Sequence, residues 1–428
     1  MSEHHGPIGP VRTFALAAGG MAGGGIYIAL AVVIESAGQW AWASFLLSGL
    51  AAIITALSYS ELTSRIDEAG GAFDFVEHMN RENWAGNLAW LLLIGYTLTI
   101  SVYAFAFGNY VSDAFGGNPV ITRILIAAIV AAMIGLNLAG AGKLTSVEVV
   151  IVTSNLAILT AIALYGVIFH WNTDSLSQGI ASYAPASVLT GAATIFVAYE
   201  GFQLLTYDYD DMNKPAKWFA RVLTSAAASV VIIYVLVTLG FTMMSGAGFI
   251  VENKGTSLAA VASQQFGLAG TIVMTLAAAF ATTAAINSTL YSTAKLSALV
   301  ARDGELPSVL AKQNRNGVPS RAIILIATAA GCLALLGSLS SLVEAASLVF
   351  VFTFGTVNAI AFRDCARIRL IAGAGVLLCA AIGVALCWHL ANQKPFMLAA
   401  ILAVTVAVVA LRRRILAFFG TTDNANHA

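Results

Sequence analysis

The chain has 428 residues, 59% of them hydrophobic and only 10% charged, with a mean hydropathy of +0.85. Soluble domains carry roughly 25% charged residues, so this composition excludes a water-soluble globular protein and calls for a bilayer as solvent. The 21 basic and 21 acidic residues cancel, which excludes the one-signed field expected of a nucleic-acid or polyanion binder.

A membrane-crossing helix needs roughly 20 mostly apolar residues. Twelve runs meet that need, at about residues 13–37, 41–60, 84–113, 119–139, 147–170, 187–209, 222–246, 267–300, 321–338, 341–362, 368–390 and 395–418. The first run is too long for a signal-peptide core and carries glycines inside it, so it is expected to be retained as a span. Twelve spans place both termini on one side of the membrane. Arg12, Arg65, Arg81, Lys143, Lys214, Lys217, Arg221, Lys295, Arg302, Lys312, Arg315, Arg321, Arg363, Arg367, Arg369, Arg412, Arg413 and Arg414 then share that side. Only Arg123, Lys254 and Lys394 fall on the other. Eighteen against three is a positive-inside signal that predicts cytoplasmic termini. No polar stretch exceeds a loop, so no appended soluble domain is expected.

In the first span, Gly19-Gly20-Met21-Ala22-Gly23-Gly24-Gly25-Ile26-Tyr27 puts five glycines into seven positions. Glycine costs about 1 kcal/mol relative to alanine in a helix and permits other backbone angles. Small residues also serve close helix packing, but three in a row cover most of the circumference, so unwinding is the expectation. All eight prolines lie in loops or at span edges, which leaves glycine as the agent of any break at mid-membrane.

The second span ends in Tyr59-Ser60-Glu61-Leu62-Thr63-Ser64-Arg65, followed by Glu68-Ala69-Gly70-Gly71-Ala72. The sixth contains Phe196-Val197-Ala198-Tyr199-Glu200-Gly201-Phe202-Gln203. Glu200 is the one ionisable residue placed near the bilayer centre. A carboxyl there faces a cavity, holds a proton or has a partner, and is functional by default, with a protonated, purely structural glutamate as the alternative. Breaks in spans one and six are what an inverted five-helix repeat puts at corresponding positions. Helix N-termini at such breaks favour a carboxylate and unwound carbonyls an ammonium or cation, a pairing that suits a zwitterion.

Glu61 and Arg65, with Asp208, Asp210 and Asp211, are candidates for a cytoplasmic gate of ion pairs, solvated loop charges being the simpler account. Cys332, Cys365, Cys379 and Cys387 show neither CxxC nor Cys/His ligand spacing, so no disulfide and no structural metal are expected. No hydrolase, zinc-protease or phosphate-loop pattern occurs, which argues against an enzyme or an ATP-driven pump.

Together the motifs resemble the amino acid-polyamine-organocation family. Gly23-Gly24-Gly25-Ile26-Tyr27 is similar to its first-helix G-x-G-I-F, with Tyr for Phe. The segment from Tyr59 to Ala72 resembles its Y-x-E-L-x-x-R…E-A-G-G-x. The stretch from Phe196 to Phe202, with Asp210, Asp211 and Asn213-Lys214-Pro215, resembles its sixth-helix F-x-A-Y-x-G-F and acidic tail. Ala301-Arg302-Asp303-Gly304-Glu305-Leu306-Pro307 resembles its A-R-D-G-x-L-P loop.

The resemblance implies an all-α, twelve-helix membrane protein with a LeuT-type 5+5 inverted repeat. Repeat one would cover about residues 13–170 and repeat two 187–362, with two extra helices at 368–418. It implies a multi-pass secondary transporter of amino acids or related amines in the cytoplasmic (inner) membrane. Backbone at Ala22, Gly23, Gly24, Gly25 and Ile26 would bind a substrate carboxylate. Carbonyls around Phe196, Ala198 and Tyr199 would bind its amino group, with Tyr199 as a side-chain contact and Glu200 and Gly201 beside it. Many relatives carry in the fifth helix a lysine whose ammonium takes the place of sodium; Asn155 stands there in this chain. That departure leaves the coupling ion open between a proton, with Glu200 as its carrier, and sodium near Thr282 and Thr283. The hydroxyls of that pair could equally back-bond to their own helix. Other readings are a cationic amine or polyamine carrier selected by Glu200, and a channel or nutrient sensor on the same scaffold.

Overall fold

A computed structural model describes residues 9–79, 82–140, 146–213 and 218–419. Pro7, Arg81, Lys143, Lys214, Pro215 and Lys217 lie outside the described residues. Among those described, the regular structure is helical throughout, as the lack of water in a bilayer demands of every backbone amide.

The first span is two helices, α1 (Pro10–Ala22) and α2 (Gly25–Ala37), joined through Gly23 and Gly24. A 3-10 turn at Gly38–Trp40, with Gly38 at φ +57°, reverses the chain into α3 (Ala41–Ile66). Residues 10–66 form a 57-residue apolar run that would measure about 85 Å as one helix, far beyond the roughly 30 Å of a bilayer core, so it crosses twice. The short α4 (Ala72–Glu77) leads to α5 (Glu82–Asp113), α6 (Pro119–Leu138) and α7 (Ser146–Phe169). α6 starts as local chemistry dictates: Pro119 is in its first turn and the Asn118 side chain accepts from Val120 N at 2.8 Å.

The sixth span begins as α8 (Ser187–Thr194), loosens into a 3-10 turn at Phe196–Tyr199, passes through extended Glu200, and resumes as a 3-10 helix over Phe202–Asp211. Its two halves are bent by 60°. α9 (Phe219–Ser245) and the short α10 (Ala247–Glu252) follow. α11 (Ser257–Arg302) has non-helical angles at Gly267 (φ +58°), and its arm before that glycine precedes the span expected at 267–300. The chain ends in α12 (Ser320–Leu336), α13 (Leu339–Asp364), α14 (Arg369–Gln393) and α15 (Pro395–Phe419).

By length and composition nine helical runs among the described residues can cross a membrane, or ten if the bent pair counts as one span. This is a polytopic helical membrane protein. Leu336, Leu370, Val384 and Phe396 lie bare on the outer helices, a surface suited to lipid rather than water. Trp84, Trp171 and Trp388 are exposed at helix ends, where headgroups favour amphipathic rings. Inside, α3 packs along α9 and α7 along α9, while α5 packs against α11, α12 and α13. The broken first and sixth spans lie between these groups, touching α3, α7, α9, α11 and α13.

Candidate functional site

The breaks in spans one and six meet. Gly25 lies so close to Ala198 that a Cβ on it would stand 2.9 Å from the Ala198 Cα. Gly20 lies against Gly201, where a Cβ would stand 3.1 Å from the Gly201 carbonyl carbon. The other glycines of the cluster each serve a different neighbour: Gly19 faces Val152 of α7, Gly23 faces Ala285 of α11, and Gly24 lies under the Tyr103 ring of α5. Packing and unwinding are therefore not alternatives. Gly24 leaves the helical angles (φ −147°, ψ −23°) while Gly23 keeps them, and glycines around the circumference let the sixth span, α5, α7 and α11 close on the break.

Ala22, Gly23, Gly24, Gly25, Ile26, Phe196, Ala198, Tyr199, Glu200 and Gly201 are all buried in this one neighbourhood, so the conformation is closed over it. The freed backbone groups are met by side chains from surrounding helices, as burial requires. The Tyr234 hydroxyl of α9 reaches Met21 O at 2.8 Å and Ala198 O at 3.1 Å. One phenol thus bridges the carbonyls of both breaks. Asn155 of α7 donates to Ala22 O at 3.4 Å and accepts the Tyr27 hydroxyl, and Tyr110 donates to Tyr27 O at 2.9 Å.

On the sixth span, Ser347 of α13 accepts from Val197 N at 3.0 Å and donates to Thr194 O at 3.0 Å. Losing both bonds strands two buried backbone groups at about 1–3 kcal/mol each. Ser347→Ala should therefore lower stability by about 2–6 kcal/mol in total, read as a drop in the thermal unfolding midpoint of the purified protein.

Tyr199 turns away from the break: its hydroxyl donates to Phe45 O of α3 at 2.7 Å and its ring packs on Phe45 and Tyr234. Glu200 turns toward α5. Its Oε1 accepts from Gln203 Nε2 at 3.1 Å and its Oε2 from the Tyr103 hydroxyl at 3.5 Å, and Gln203 Oε1 also accepts from Gly201 N at 3.0 Å. Glu200 is fully buried, and none of the ion pairs among the described residues includes it. The Thr282 hydroxyl bonds back to Ala278 O at 2.7 Å and Ala279 O at 3.2 Å on its own helix, and half-buried Thr283 follows it.

The charges at the terminal end pair differently from the gate read in the sequence. Asp208 and Asp211 both bond to Lys295 of α11, at 2.8 and 3.4 Å. Arg65 instead donates to the backbone carbonyl of Asp364 at the end of α13, and Glu61 is half-buried on α3. The cause is azimuth: Asp208 and Asp211 face α11, Asp210 accepts from Ala69 N at 3.0 Å, and Arg65 faces α13. A small cavity of about 30 Å³, room for a water, runs between these charges and the break, lined by Gly20, Glu148, Gly201, Leu205, Asp208 and Ser288 among others.

Sequence reasoning passed over Lys295, Tyr96, Tyr103, Gln203, Tyr234 and Ser347. It passed over Asp74 of α4 as well, whose Oδ2 is buried against the Gly70–Gly71 turn without a hydrogen-bond partner. Burial, with weaker repulsion from Glu77 and Asp303, raises the Asp74 carboxyl from 3.8 to about 7; its backbone hydrogen bond and His78 act against this. The fold thus favours the neutral form. That contribution is complete below pH ~4 and is lost as pH rises from ~4 through ~7, because only the unfolded chain ionises there. Asp74→Asn should remove this slope, so that unfolding midpoints place the variant higher relative to the parent at pH 8 than at pH 5.

Similarity places this geometry in a class. A family model described as amino acid permease matches residues 8–422. The chain is 28% identical over 349 residues to an uncharacterised protein of Methanocaldococcus jannaschii, covering 79% of this chain and 78% of that one. It is 24% identical over 380 residues to the mitochondrial cationic amino acid transporter 3 of Arabidopsis thaliana, covering 83% of this chain and 62% of the plant protein. With an inner membrane transport protein of Escherichia coli it shares 25% identity over 367 residues, 83% of each chain. The chain thus spans about three fifths of the plant relative and more of the microbial ones.

It is a membrane transport protein and not an enzyme. The chain belongs to the amino acid permease family, among the amino acid-polyamine-organocation transporters.

Proposed function

We propose that this permease is a secondary carrier of amino acids or related amines working by alternating access. It would cross the cytoplasmic membrane twelve times, in a 5+5 inverted repeat followed by α14 and α15, with cytoplasmic termini. Twelve follows from counting α1 with α2 apart from α3, the bent sixth span as one, and the 17-residue apolar α12. The lysine and arginine census supports the orientation.

The observation that carries the reading is the meeting of the two breaks, Gly25 on Ala198 and Gly20 on Gly201, with a buried carboxyl beside them. Irregular backbone is tolerated at membrane depth where protein or a cavity serves its polar groups. Here the Tyr234 hydroxyl serves Met21 O and Ala198 O, carbonyls that a substrate's ammonium would engage. Substrate entry on this reading displaces Tyr234, and Tyr103 lies over Gly24 as a second cover. Relatives named as cationic amino acid transporters fit a site with an acidic side chain at its edge, so cationic amino acids belong in the first substrate panel. Glu200 is also the coupling group we propose: it is a buried carboxyl beside the breaks, Asn155 is neutral, and the Thr282 hydroxyl donates back to its own helix.

Thermal unfolding of the detergent-purified protein tests the reading, with neutral and cationic amino acids and polyamines added with and without sodium at pH 6 and 8. A true ligand at a hundredfold its dissociation constant stabilises by about 2.7 kcal/mol. Stabilisation by at least one amino acid or amine is expected, and none from any panel member counts against the reading.

A further inference from the structure

A chain of polar side chains leads from Glu200 toward the terminal side of the protein. Gln203 Nε2 bonds to Glu200 Oε1 at 3.1 Å and to the Tyr96 oxygen at 3.4 Å. The two oxygens are therefore two hydrogen bonds apart, and rotation of the Glu200 side chain can exchange one partner for the other. The hydroxyls of Tyr96, on α5, and Tyr207, on the sixth span, are 3.2 Å apart. The Tyr207 ring then borders Gly71, where a Cβ would stand 2.8 Å from its Cε1, and Asp74 Oδ2 borders the adjacent Gly70. Thr206 ties this turn to the sixth span, accepting from Gly70 N at 3.1 Å through its carbonyl. Tyr96, Gln203 and Tyr207 are buried, so the chain is insulated from lipid and bulk water as far as the half-buried Asp74 at its end.

We propose that Tyr96, Tyr207 and Asp74 form the route by which a proton reaches and leaves Glu200 from the cytoplasmic side. On unloading, the Glu200 O–H bond breaks as the Tyr96 oxygen takes that proton. Tyr96 passes its own hydroxyl proton to Tyr207, and Tyr207 passes its proton to the Asp74 carboxylate across a gap that a water or a turn of the Asp74 side chain must close, since Asp74 Oδ2 has no hydrogen-bond partner in this conformation. Both phenols end neutral, Glu200 is left ionised and Asp74 protonated; loading is the reverse. Gln203 does not relay. It holds the carboxyl and the first phenol on one amide.

The surroundings suit the task. The titratable groups facing Glu200 are Tyr59, Tyr96, Tyr103 and Tyr207, and none of the ion pairs among the described residues includes Glu200, so nothing in that set pins it ionised. Asp74 faces Glu77, His78, Asp303 and Tyr207, and a carboxyl raised to about 7 by burial can both accept and release a proton near neutral pH. The proposal deepens the reading of Glu200 as the coupling group, and its test needs no substrate.

The test is time-resolved infrared spectroscopy of the full chain in lipid nanodiscs after a pH jump. The Glu200 signal is the protonated-carboxyl C=O band that Glu200→Gln removes. The expected result is that Tyr207→Phe and Asp74→Asn slow the change of this band by about a hundredfold, the low end for removing a positioned proton-transfer group, while its pH midpoint barely moves. A merely structural role for either residue would shift the midpoint and leave the rate. Should Tyr207→Phe not yield folded protein, Tyr96→Phe replaces it. Unchanged rates in the variants overturn the route, as does a parent protein without a Glu200 band. Either failure leaves the carrier reading standing, since ligand binding and flux are measured separately.

Discussion

Glu200→Gln is expected to abolish accumulation driven by a pH gradient while leaving gradient-free exchange in place. The amide keeps the shape of the carboxyl and can still accept from Gln203 and meet the Tyr103 hydroxyl, the two contacts that hold Glu200, so the fold and the meeting of the breaks persist. What it loses is the ability to gain and release a proton. A coupled carrier must link that step to the conformational change, and without it substrate equilibrates but is not concentrated. Uptake into proteoliposomes with an acidic exterior should then fall from a concentrative overshoot to the passive level, and exchange should stay within about a factor of five of the parent, a change below 1 kcal/mol in transition-state terms. A different outcome identifies a different role: loss of cationic substrates with neutral ones spared would make Glu200 a selector by charge pairing. Unchanged accumulation would leave it a structural group.

Gly201→Ala should be the most damaging single methyl added to the chain. Gly201 has φ +129° and ψ −35°, angles that cost a residue with a Cβ about 1–3 kcal/mol. The added carbon would also fall within the van der Waals radius of the Gly20 carbonyl carbon, and of Met21 N at 2.7 Å. Both obstacles are backbone, so no rotamer relieves them. Overpacking of this kind costs a further 1–3 kcal/mol or so. The sum, about 2–6 kcal/mol, is a large part of what holds a typical domain together, so a markedly lower unfolding midpoint or a failure to purify is expected. Gly135→Ala is the control: nothing lies within 4 Å of its would-be Cβ on α6, and exchanging glycine for alanine within a helix gains roughly 0.5–1 kcal/mol. If both variants unfold at the parental temperature, the close crossing of α1 with the sixth span does not carry the site.

The sequence made the breaks legible because each is written locally. A run such as Gly23-Gly24-Gly25 and a buried Glu200-Gly201 pair are anomalies against an apolar background, and hydropathy alone supplies that background. What served the breaks was illegible for the opposite reason. Ser347 is 150 residues from Val197, and Tyr234 is 213 from Met21. A serine or tyrosine within an apolar run is unremarkable until the packing brings it to a bare carbonyl. Arg65, Asp208 and Asp211 carried complementary charges at matching depths, yet side-chain direction around each helix, which hydropathy does not encode, sent the acids to Lys295 instead. The division of α11 at Gly267 was hidden too, because a lone glycine at positive φ looks the same in sequence as one buried in a regular helix.

Counterflow in proteoliposomes tests the central claim most directly. Purified protein is reconstituted into vesicles preloaded with one unlabelled amino acid or amine at a time, and entry of the same labelled compound is followed without any ion gradient. The account predicts saturable entry, accelerated by internal substrate, for at least one amino acid or amine, and reduced by Gly201→Ala in whatever protein folds. Entry that never saturates and ignores internal substrate would indicate a channel, and no entry of any compound would contradict a carrier of amino acids or amines.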